Sequence, residues 1–224
     1  MRSPRTEILS WTLIAVAWGF SLALYARLPE SIPTHWNFHG RPDGFTSKPW
    51  GAFVTPLIMI ALYLVLLVLP KISPRGYRFD SFLGVWEIVR TAILALMLLI
   101  HVLVLLAGTG VPVDMVRAIE TGGGLLLVLL GNYMGKLGKN FFIGIRTPWT
   151  LASDEVWLRT HRLGGKLFVV AGLVVFAGGI LGAGPFLPMI AIGAAALLSV
   201  AYSYLLYRRL EGFKEETPGE NPAR

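Results

Sequence analysis

The feature that most constrains this chain is the length of its uncharged segments. The longest covers residues 167–207, which are 41 residues without Asp, Glu, Lys or Arg. A helix rises about 1.5 Å per residue, so about 20 apolar residues cross the roughly 30 Å hydrocarbon core of a bilayer. The run is therefore long enough for two spans. Gly182, Gly184, Pro185 and Pro188 predict the turn between them, because glycine permits a sharp turn and proline removes a helical donor.

Four further uncharged runs predict four more spans. They cover residues 8–26, 49–70, 91–113 and 121–135. The last has only 15 residues, so it can cross a bilayer only if Glu120, and Arg117 with it, enters the membrane or its interface. Of the 224 residues, 54% are hydrophobic and only 15% are charged, against about a quarter charged in soluble domains. The sequence predicts an all-α integral membrane protein with six transmembrane helices.

The distribution of Lys and Arg predicts the orientation of these spans. If the N-terminus is cytoplasmic, the cytoplasmic segments hold most of the cations, as the positive-inside rule requires. Topology thus accounts for the net charge of +7 without nucleic acid as a direct partner. We expect a bacterial inner-membrane protein with both termini cytoplasmic.

Three regions follow from this topology. Residues 1–70 hold two spans and an extracellular loop at 28–48, and residues 71–210 hold four spans and a cytoplasmic loop at 131–166. The tail, 211–224, is rich in Glu, Pro and Gly and is predicted to be disordered.

The extracellular loop has the alternating pattern of a strand. His35, Asn37 and His39 would share one face, with Trp36 and Phe38 on the other. Residues 41–44, Arg-Pro-Asp-Gly, predict the turn of a short β-hairpin whose aromatic face meets the membrane interface.

Three roles are open for this hairpin: a solvated anchor, a peptide-recognition site, or a metal site built from His35, His39 and Asp43. The chain has no cysteine, so a metal would need His and carboxylate ligands. Two alternating His residues are a weak metal signal. We therefore expect no metal and no cofactor.

The cytoplasmic loop carries cations among aromatic and polar residues. The cations are Lys136, Lys139, Arg146, Arg159, Arg162 and Lys166. Thr150 or Ser153 can cap a helix that we expect to lie in the interface and to end at Gly164–Gly165. The loop could be an internally hydrogen-bonded plug, a docking surface or a catalytic site. Its motif provides His161 with no nucleophile or paired carboxylate, so we expect no enzyme activity.

Glu120 and His101 are the ionisable candidates inside the membrane. Arg117 precedes Glu120 by three residues, and we expect the two to pair on one helix face. The alternative is a proton path through Glu120 and His101. Gly131 and Gly135 have the spacing of a close helix contact.

The cytoplasmic loop also resembles a known family. Asn140 through Leu151, together with Trp157 and Thr160-His161-Arg162, is similar to the signature of the SdpI family of bacterial membrane proteins. Pro33–Lys48 resembles a small uncharacterised domain often found ahead of that signature.

The resemblance implies a multi-pass immunity protein that gives resistance to a secreted membrane-active peptide, with a second role in relaying a signal by sequestering a repressor. The implied partners are membrane lipid, an extracellular peptide toxin and a cytoplasmic repressor. The implied binding residues are His35, Asn37, Asp43 and Lys48 outside and Asn140, Arg146, Thr147, Trp149, Thr150, Trp157, His161 and Arg162 inside. The alternatives are a small proton-coupled transporter or exporter using Glu120 and His101, and a membrane enzyme using His35, Asp43 or His161.

Overall fold

The structure is a computed structural model that describes residues 3–74, 77 and 79–212. Within these residues the chain forms helices and one β-hairpin. In order they are α1 (Pro4–Leu24), β1 (Ser31–Trp36), β2 (Pro42–Ser47), α2 (Lys48–Val68), α3 (Leu83–Gly108), α4 (Met115–Met134), α5 (Pro148–Ala152), α6 (Asp154–Leu181) and α7 (Phe186–Leu210). The predicted tail lies outside the described residues after Gly212.

Six of the described helices are long and apolar enough to cross a membrane: α1, α2, α3, α4, α6 and α7. They expose large apolar side chains on their outer surfaces, such as Leu22, Leu64 and Leu197. A soluble protein rarely exposes apolar surface on every long helix, whereas lipid-facing helices do. The prediction of an all-α multi-pass membrane protein is confirmed.

The helix bounds differ from the uncharged runs where charges are buried. Helix α3 begins at Leu83, eight residues before the predicted span, and contains the buried Glu87 and Arg90. Helix α4 contains Arg117 and Glu120, as its short uncharged run required.

The turn between the last two spans lies at the predicted residues. Helix α6 ends at Leu181, and Gly182 follows with φ of 71°, a left-handed conformation that favours glycine. Helix α7 then begins at Phe186, so that Pro188 lies in its first turn, where a proline is tolerated.

The predicted end of a separate interfacial helix at Gly164–Gly165 is wrong, because α6 continues through both glycines. Their function is close packing rather than termination. A Cβ on Gly165 would lie 2.6 Å from the Gly131 carbonyl oxygen of α4. The segment that was expected to lie in the interface is therefore the first part of the fifth spanning helix.

The spanning helices alternate in direction, so the bundle has two ends. The β-hairpin and the α6–α7 turn lie at one, the hairpin end, and residues 137–153 lie at the other, the loop end. Leu28, Ile32 and Leu105 belong to the buried apolar cluster at the hairpin end. Trp86 and Trp157 belong to the cluster at the loop end, and apolar residues of the predicted motif, such as Ile145, pack against this cluster.

Candidate functional site

The hairpin has antiparallel strands, and its turn lies earlier than predicted. The Asn37 side chain accepts hydrogen bonds from the backbone N–H groups of His39 (2.9 Å) and Arg41 (3.1 Å), and Gly40 follows with φ of 73°. A short amide side chain that bonds its own backbone forms such a turn. Asn37 and His39 therefore lie in the turn rather than on a strand face.

The residues that were expected to turn form the second strand instead. Pro42 begins β2, where a missing N–H is tolerated, and Gly44 pairs with His35. A Cβ on Gly44 would lie 2.8 Å from the His35 Cβ, so only glycine fits opposite this histidine. The close approach fixes His35 beside Asp43, with Nδ1 and Oδ1 2.5 Å apart.

Lys48 lies at the base of the hairpin, where it begins α2. Its backbone N–H donates to the Glu30 carbonyl oxygen at 2.9 Å, and its ammonium group lies 4.9 Å from the centre of the Tyr25 ring. These contacts join the hairpin to the first two spans. The structure thus places Lys48 at the junction of the hairpin with α2, and none of these contacts involves His35 or Asp43.

A cleft of about 550 Å³ lies between the hairpin and the helices below it. Its walls come from β1, the end of α3, the first turns of α4 and Pro185 of the α6–α7 turn. Most of the lining side chains are apolar, and the charged or titratable ones are His35, Asp43 and Glu120. The structure thus brings together two predicted site residues of the hairpin, His35 and Asp43, and one predicted ionisable residue of the membrane spans, Glu120.

Glu120 does not form the predicted pair with Arg117. The guanidinium of Arg117 donates from Nε to the Gly179 carbonyl oxygen at 3.1 Å and also bonds the Ile180 carbonyl oxygen. These carbonyls belong to the last turn of α6, where helical partners are missing and the dipole favours a cation. Glu120 is 8% exposed, and neither of its carboxylate oxygens has a hydrogen-bond partner among the described residues.

At the loop end, Asn140 organises the start of the central motif. Its side chain is fully buried and donates to the carbonyl oxygens of Gly138 (2.8 Å) and Ile143 (3.1 Å). Its Oδ1 accepts from the N–H groups of Phe142 and Ile143, both at 2.8 Å. The Asn140 side chain thus forms all four of its hydrogen bonds with backbone groups of residues 138–143.

His161 is also fully buried and fully used. Its Nε2 accepts the Ile145 backbone N–H at 2.9 Å, and Nδ1 lies 2.8 Å from the Trp157 carbonyl oxygen. One nitrogen accepts and the other donates, which is the arrangement of a neutral imidazole. The Trp157 ring stacks on it with centroids 3.9 Å apart, while the Trp157 Nε1–H donates to the Leu137 carbonyl oxygen at 2.7 Å.

Thr147 and Thr150 form a reciprocal cap at the start of α5, because each side chain bonds the other residue's backbone N–H. Thr147 Oγ1 also lies 3.1 Å from the Ser203 hydroxyl of α7. The Trp149 ring packs edge-on against Tyr204, 5.1 Å between centroids. These contacts dock α5 on the last span.

Several of the exposed side chains of the motif are cationic. Arg146 and Arg162 are both exposed, although Arg146 donates to the Phe141 carbonyl oxygen. Lys139 pairs with Asp154 at 2.5 Å and Arg159 with Glu155 at 2.5 Å. The motif therefore has a hydrogen-bonded interior and a basic surface.

A buried charged network at the loop end was not predicted. Arg90 donates to a Glu7 carboxylate oxygen at 2.8 Å, and the Tyr63 hydroxyl donates to the other oxygen. Glu87 accepts from Thr6 Oγ1 at 2.9 Å. The i, i+3 spacing of Glu87 and Arg90 beside an uncharged run was the available signal. The network links α1, α2 and α3.

His101 also links spans. It is fully buried, and its Nε2 lies 2.9 Å from Ser21 Oγ and 3.2 Å from the Ala17 carbonyl oxygen of α1. Ser21 Oγ in turn donates to the Ala52 carbonyl oxygen of α2 at 2.6 Å. No described hydrogen bond joins His101 to Glu120, whose two oxygens have none.

Comparison with known proteins agrees with this division into hairpin and loop motifs. Residues 12–60 match a domain of unknown function, DUF1648, and residues 136–203 match the SdpI/YfhL protein family. The chain is 31% identical over 214 residues to the immunity protein SdpI of Bacillus subtilis (strain 168), which covers 93% of this chain and 99% of that protein. The chain belongs to the SdpI family. The SdpI-type region begins at the loop end and includes α5, α6 and most of α7.

A second relative extends over a smaller part of this SdpI-family chain. An uncharacterized protein of Archaeoglobus fulgidus is 35% identical over 72 residues, 30% of this chain and 39% of its own length. No solved structure matches the chain. The division into regions at 1–70 and 71–210 remains a prediction.

Proposed function

We propose that this SdpI-family protein is a membrane immunity protein that gives its cell resistance to a secreted, membrane-active peptide. The observation that carries the proposal is the 31% identity to an immunity protein over 99% of that protein's length. A match of this extent includes both the hairpin and the loop motif. A match limited to one span would be less informative, because any apolar helix could produce it.

The proposal places the hairpin end outside the cell and the loop end in the cytoplasm. The exposed cations Arg146, Arg162 and Lys166 at the loop end support this orientation. The cleft would then open toward a peptide that arrives from outside, while membrane lipid surrounds the helices.

The proposed role is not enzymatic. Within the described part of the loop motif, Asn140, Thr150 and His161 are buried and use their polar atoms to hold the motif together. A general base needs a free lone pair within reach of a substrate. The His161 lone pair is already occupied by the Ile145 N–H.

Survival of a sensitive bacterium tests the proposal. Cells that express the full chain are exposed to increasing amounts of the cognate killing peptide and compared with cells that carry an empty vector. We expect the lethal concentration to rise about tenfold or more. An unchanged lethal concentration, with the chain present in the membrane fraction, would contradict the proposal.

The finer part of the proposal is a signal relay through the loop end. Arg146 and Arg162 are both exposed at the loop end, where an acidic patch of a cytoplasmic repressor could bind their guanidinium groups. A fluorescent repressor should move to the membrane when the peptide is present. Arg146→Ala with Arg162→Ala should abolish this movement and leave survival unchanged. Recruitment that persists in the double variant would exclude this surface.

A small proton-coupled transporter is the second candidate. The observation that favours it is the Glu120 carboxylate, which has no hydrogen-bond partner within the described part of the chain. Transport would require His101 as the second proton carrier. Proteoliposomes loaded with a pH-sensitive dye test this directly. Peptide-dependent proton movement that is lost in His101→Gln would favour the transporter, whereas protection without proton movement would favour the immunity role.

A further inference from the structure

The cleft under the hairpin contains a buried charge with no partner among the described residues. Glu120 is 8% exposed, and neither carboxylate oxygen accepts a hydrogen bond there. A carboxylate inside a mostly apolar cleft is stabilised by a cationic group that enters it, through charge-assisted hydrogen bonds. A site that retains such a group is built to receive a cation or a proton.

The walls of the cleft are suited to an apolar chain. Its apolar lining side chains include Trp36, Phe38, Ile100, Val104, Met115 and Ile119. The volume of about 550 Å³ lies within the roughly 300–1,000 Å³ typical of ligand pockets. The cleft can therefore hold a short segment of a peptide rather than a whole folded partner.

The other charges near the cleft also favour a cationic occupant. Asp43 lines the rim, where it is paired with the exposed His35. A neighbouring cavity of about 340 Å³ shares Glu120 and adds Asp114 and Arg117. The guanidinium of Arg117 is already bonded to two carbonyl oxygens of α6. Arg117 also lies near Asp114, whose Oδ2 is 4.0 Å from the Arg117 Nε. Among the described residues no hydrogen bond joins Arg117 to Glu120, so Arg117 does not act as its counter-ion.

We do not expect a bound metal ion to be the cationic partner of Glu120. Among residues 3–74, 77 and 79–212, no group of three His, Cys, Asp or Glu side chains could hold one. A lone carboxylate in an apolar wall binds an ammonium or guanidinium group through charge-assisted hydrogen bonds.

We propose that the cleft is a receptor site for an apolar peptide segment that carries one Lys or Arg, and that Glu120 is the counter-ion of that cation. The proposal rests on the proposed immunity function for the identity of the peptide as a killing peptide. Asp43 at the rim would favour approach of a cationic segment, and the apolar walls would bind the residues on either side of the cation.

Two short probes that differ by one charge test the proposal. The first is a fluorescent acetyl-Leu-Leu-Lys-Leu-Leu-amide, and the second has Gln in place of Lys. Binding to the full chain in phosphatidylcholine nanodiscs is measured by fluorescence anisotropy, with the signal of empty discs subtracted. We expect the Lys probe to bind about tenfold or more tightly than the Gln probe, because only the first supplies a partner for Glu120.

Glu120→Gln is the decisive variant, because it keeps the shape of the side chain and removes its charge. The ratio of the two affinities should fall to about one, while the Gln probe binds as it does to the wild type. Glu155→Gln is the matched control, because Glu155 is half-exposed and pairs with Arg159 at the loop end. This variant should keep the preference for Lys.

Folding of the variant is checked by the melting temperature without probe. We expect Glu120→Gln to melt at the same or a higher temperature, since it removes a buried charge for which the described residues supply no hydrogen bond. A preference for Lys that survives in Glu120→Gln, or is absent in the wild type, would overturn the proposal. Loss of that preference in phosphatidylethanolamine discs, but not in phosphatidylcholine discs, would assign the site to a lipid amine and also overturn it.

The outcomes separate this inference from the proposed function. If the chain protects cells but the affinity ratio does not depend on Glu120, the inference fails and the immunity role stands. If the ratio depends on Glu120 but the chain gives no protection, the site stands and the immunity role fails.

Discussion

At the scale of single residues, the loop motif contains two kinds of position that look alike in the sequence. His161 is fully buried and both of its nitrogens hold backbone groups, whereas the adjacent Arg162 is exposed. A buried imidazole that bonds backbone groups is needed for folding, and an exposed guanidinium is available to partners.

This difference predicts that His161→Ala destabilises the protein. The substitution leaves the Ile145 N–H and the Trp157 carbonyl oxygen without their side-chain partner and removes a stacked ring, for an expected loss of about 2–4 kcal/mol. Unfolding of the purified protein in detergent measures the effect. Arg162→Ala is the control and should unfold like the wild type. Equal unfolding of the two variants would mean that the imidazole contacts contribute little.

A second prediction at this scale concerns metal. The hairpin supplies His35, with Nδ1 already bonded to Asp43, and the described residues provide no third ligand. Protein purified in detergent should therefore contain no stoichiometric transition metal by elemental analysis. One zinc per chain that disappears in His35→Ala would reverse this conclusion.

Sequence reasoning found the important polar residues but could not assign their partners. Asn140, Thr147 and Thr150 stand out because they are polar groups among aromatics, yet their partners are mostly backbone atoms whose positions depend on the fold. The predicted Arg117–Glu120 pair fails for the same reason. The carbonyl oxygens at the end of α6 are about 60 residues away in the chain and bind Arg117 instead.

At the scale of elements, contact between α4 and α6 depends on a stripe of glycines. A Cβ on Gly124 would lie 2.5 Å from the Phe176 backbone nitrogen, and one on Gly172 would lie 2.6 Å from the Val128 nitrogen. Glycine at these positions lets the two backbones approach closely, as in other membrane helix pairs.

The stripe predicts that Gly124→Ala is disruptive while Gly123→Ala is tolerated. A Cβ at Gly123 would meet nothing within 4 Å, although the two glycines are adjacent on one helix. We expect Gly124→Ala to lower the free energy of unfolding by about 1–3 kcal/mol and Gly123→Ala to leave it the same or slightly higher. Thermal unfolding of the two variants in the same detergent checks this. Similar melting temperatures would show that the helices can move apart without loss.

Helix existence was predictable from uncharged runs, but helix ends were less so. Helix α6 ends inside the longest uncharged run, at glycines and a proline that specify a break locally. Gly164–Gly165 gives a similar local signal, but there the neighbouring helix uses the missing side chains for packing. Only the fold distinguishes a glycine that ends a helix from one that packs inside it.

At the scale of the whole molecule, the proposed orientation predicts which surface is accessible from outside the cell. Ser47→Cys, at the base of the hairpin, should react with an impermeant thiol reagent in intact cells. Ala152→Cys provides the site at the loop end, because Ala152 is exposed there, whereas the next residue, Ser153, is buried and bonds Glu211. It should react only after the cells are opened. Labelling of Ala152→Cys in intact cells would reverse the orientation and remove the basis for a cytoplasmic repressor.

The most direct test of the account is a photo-crosslink between this chain and its killing peptide. A photoreactive phenylalanine analogue is placed at Phe38, which lines the cleft and is 71% exposed, and separately at Phe141, which is exposed at the loop end. We predict that the peptide, added to intact cells, crosslinks to the chain through position 38 and not through position 141. A crosslink at position 141 without one at position 38 would contradict recognition at the hairpin end.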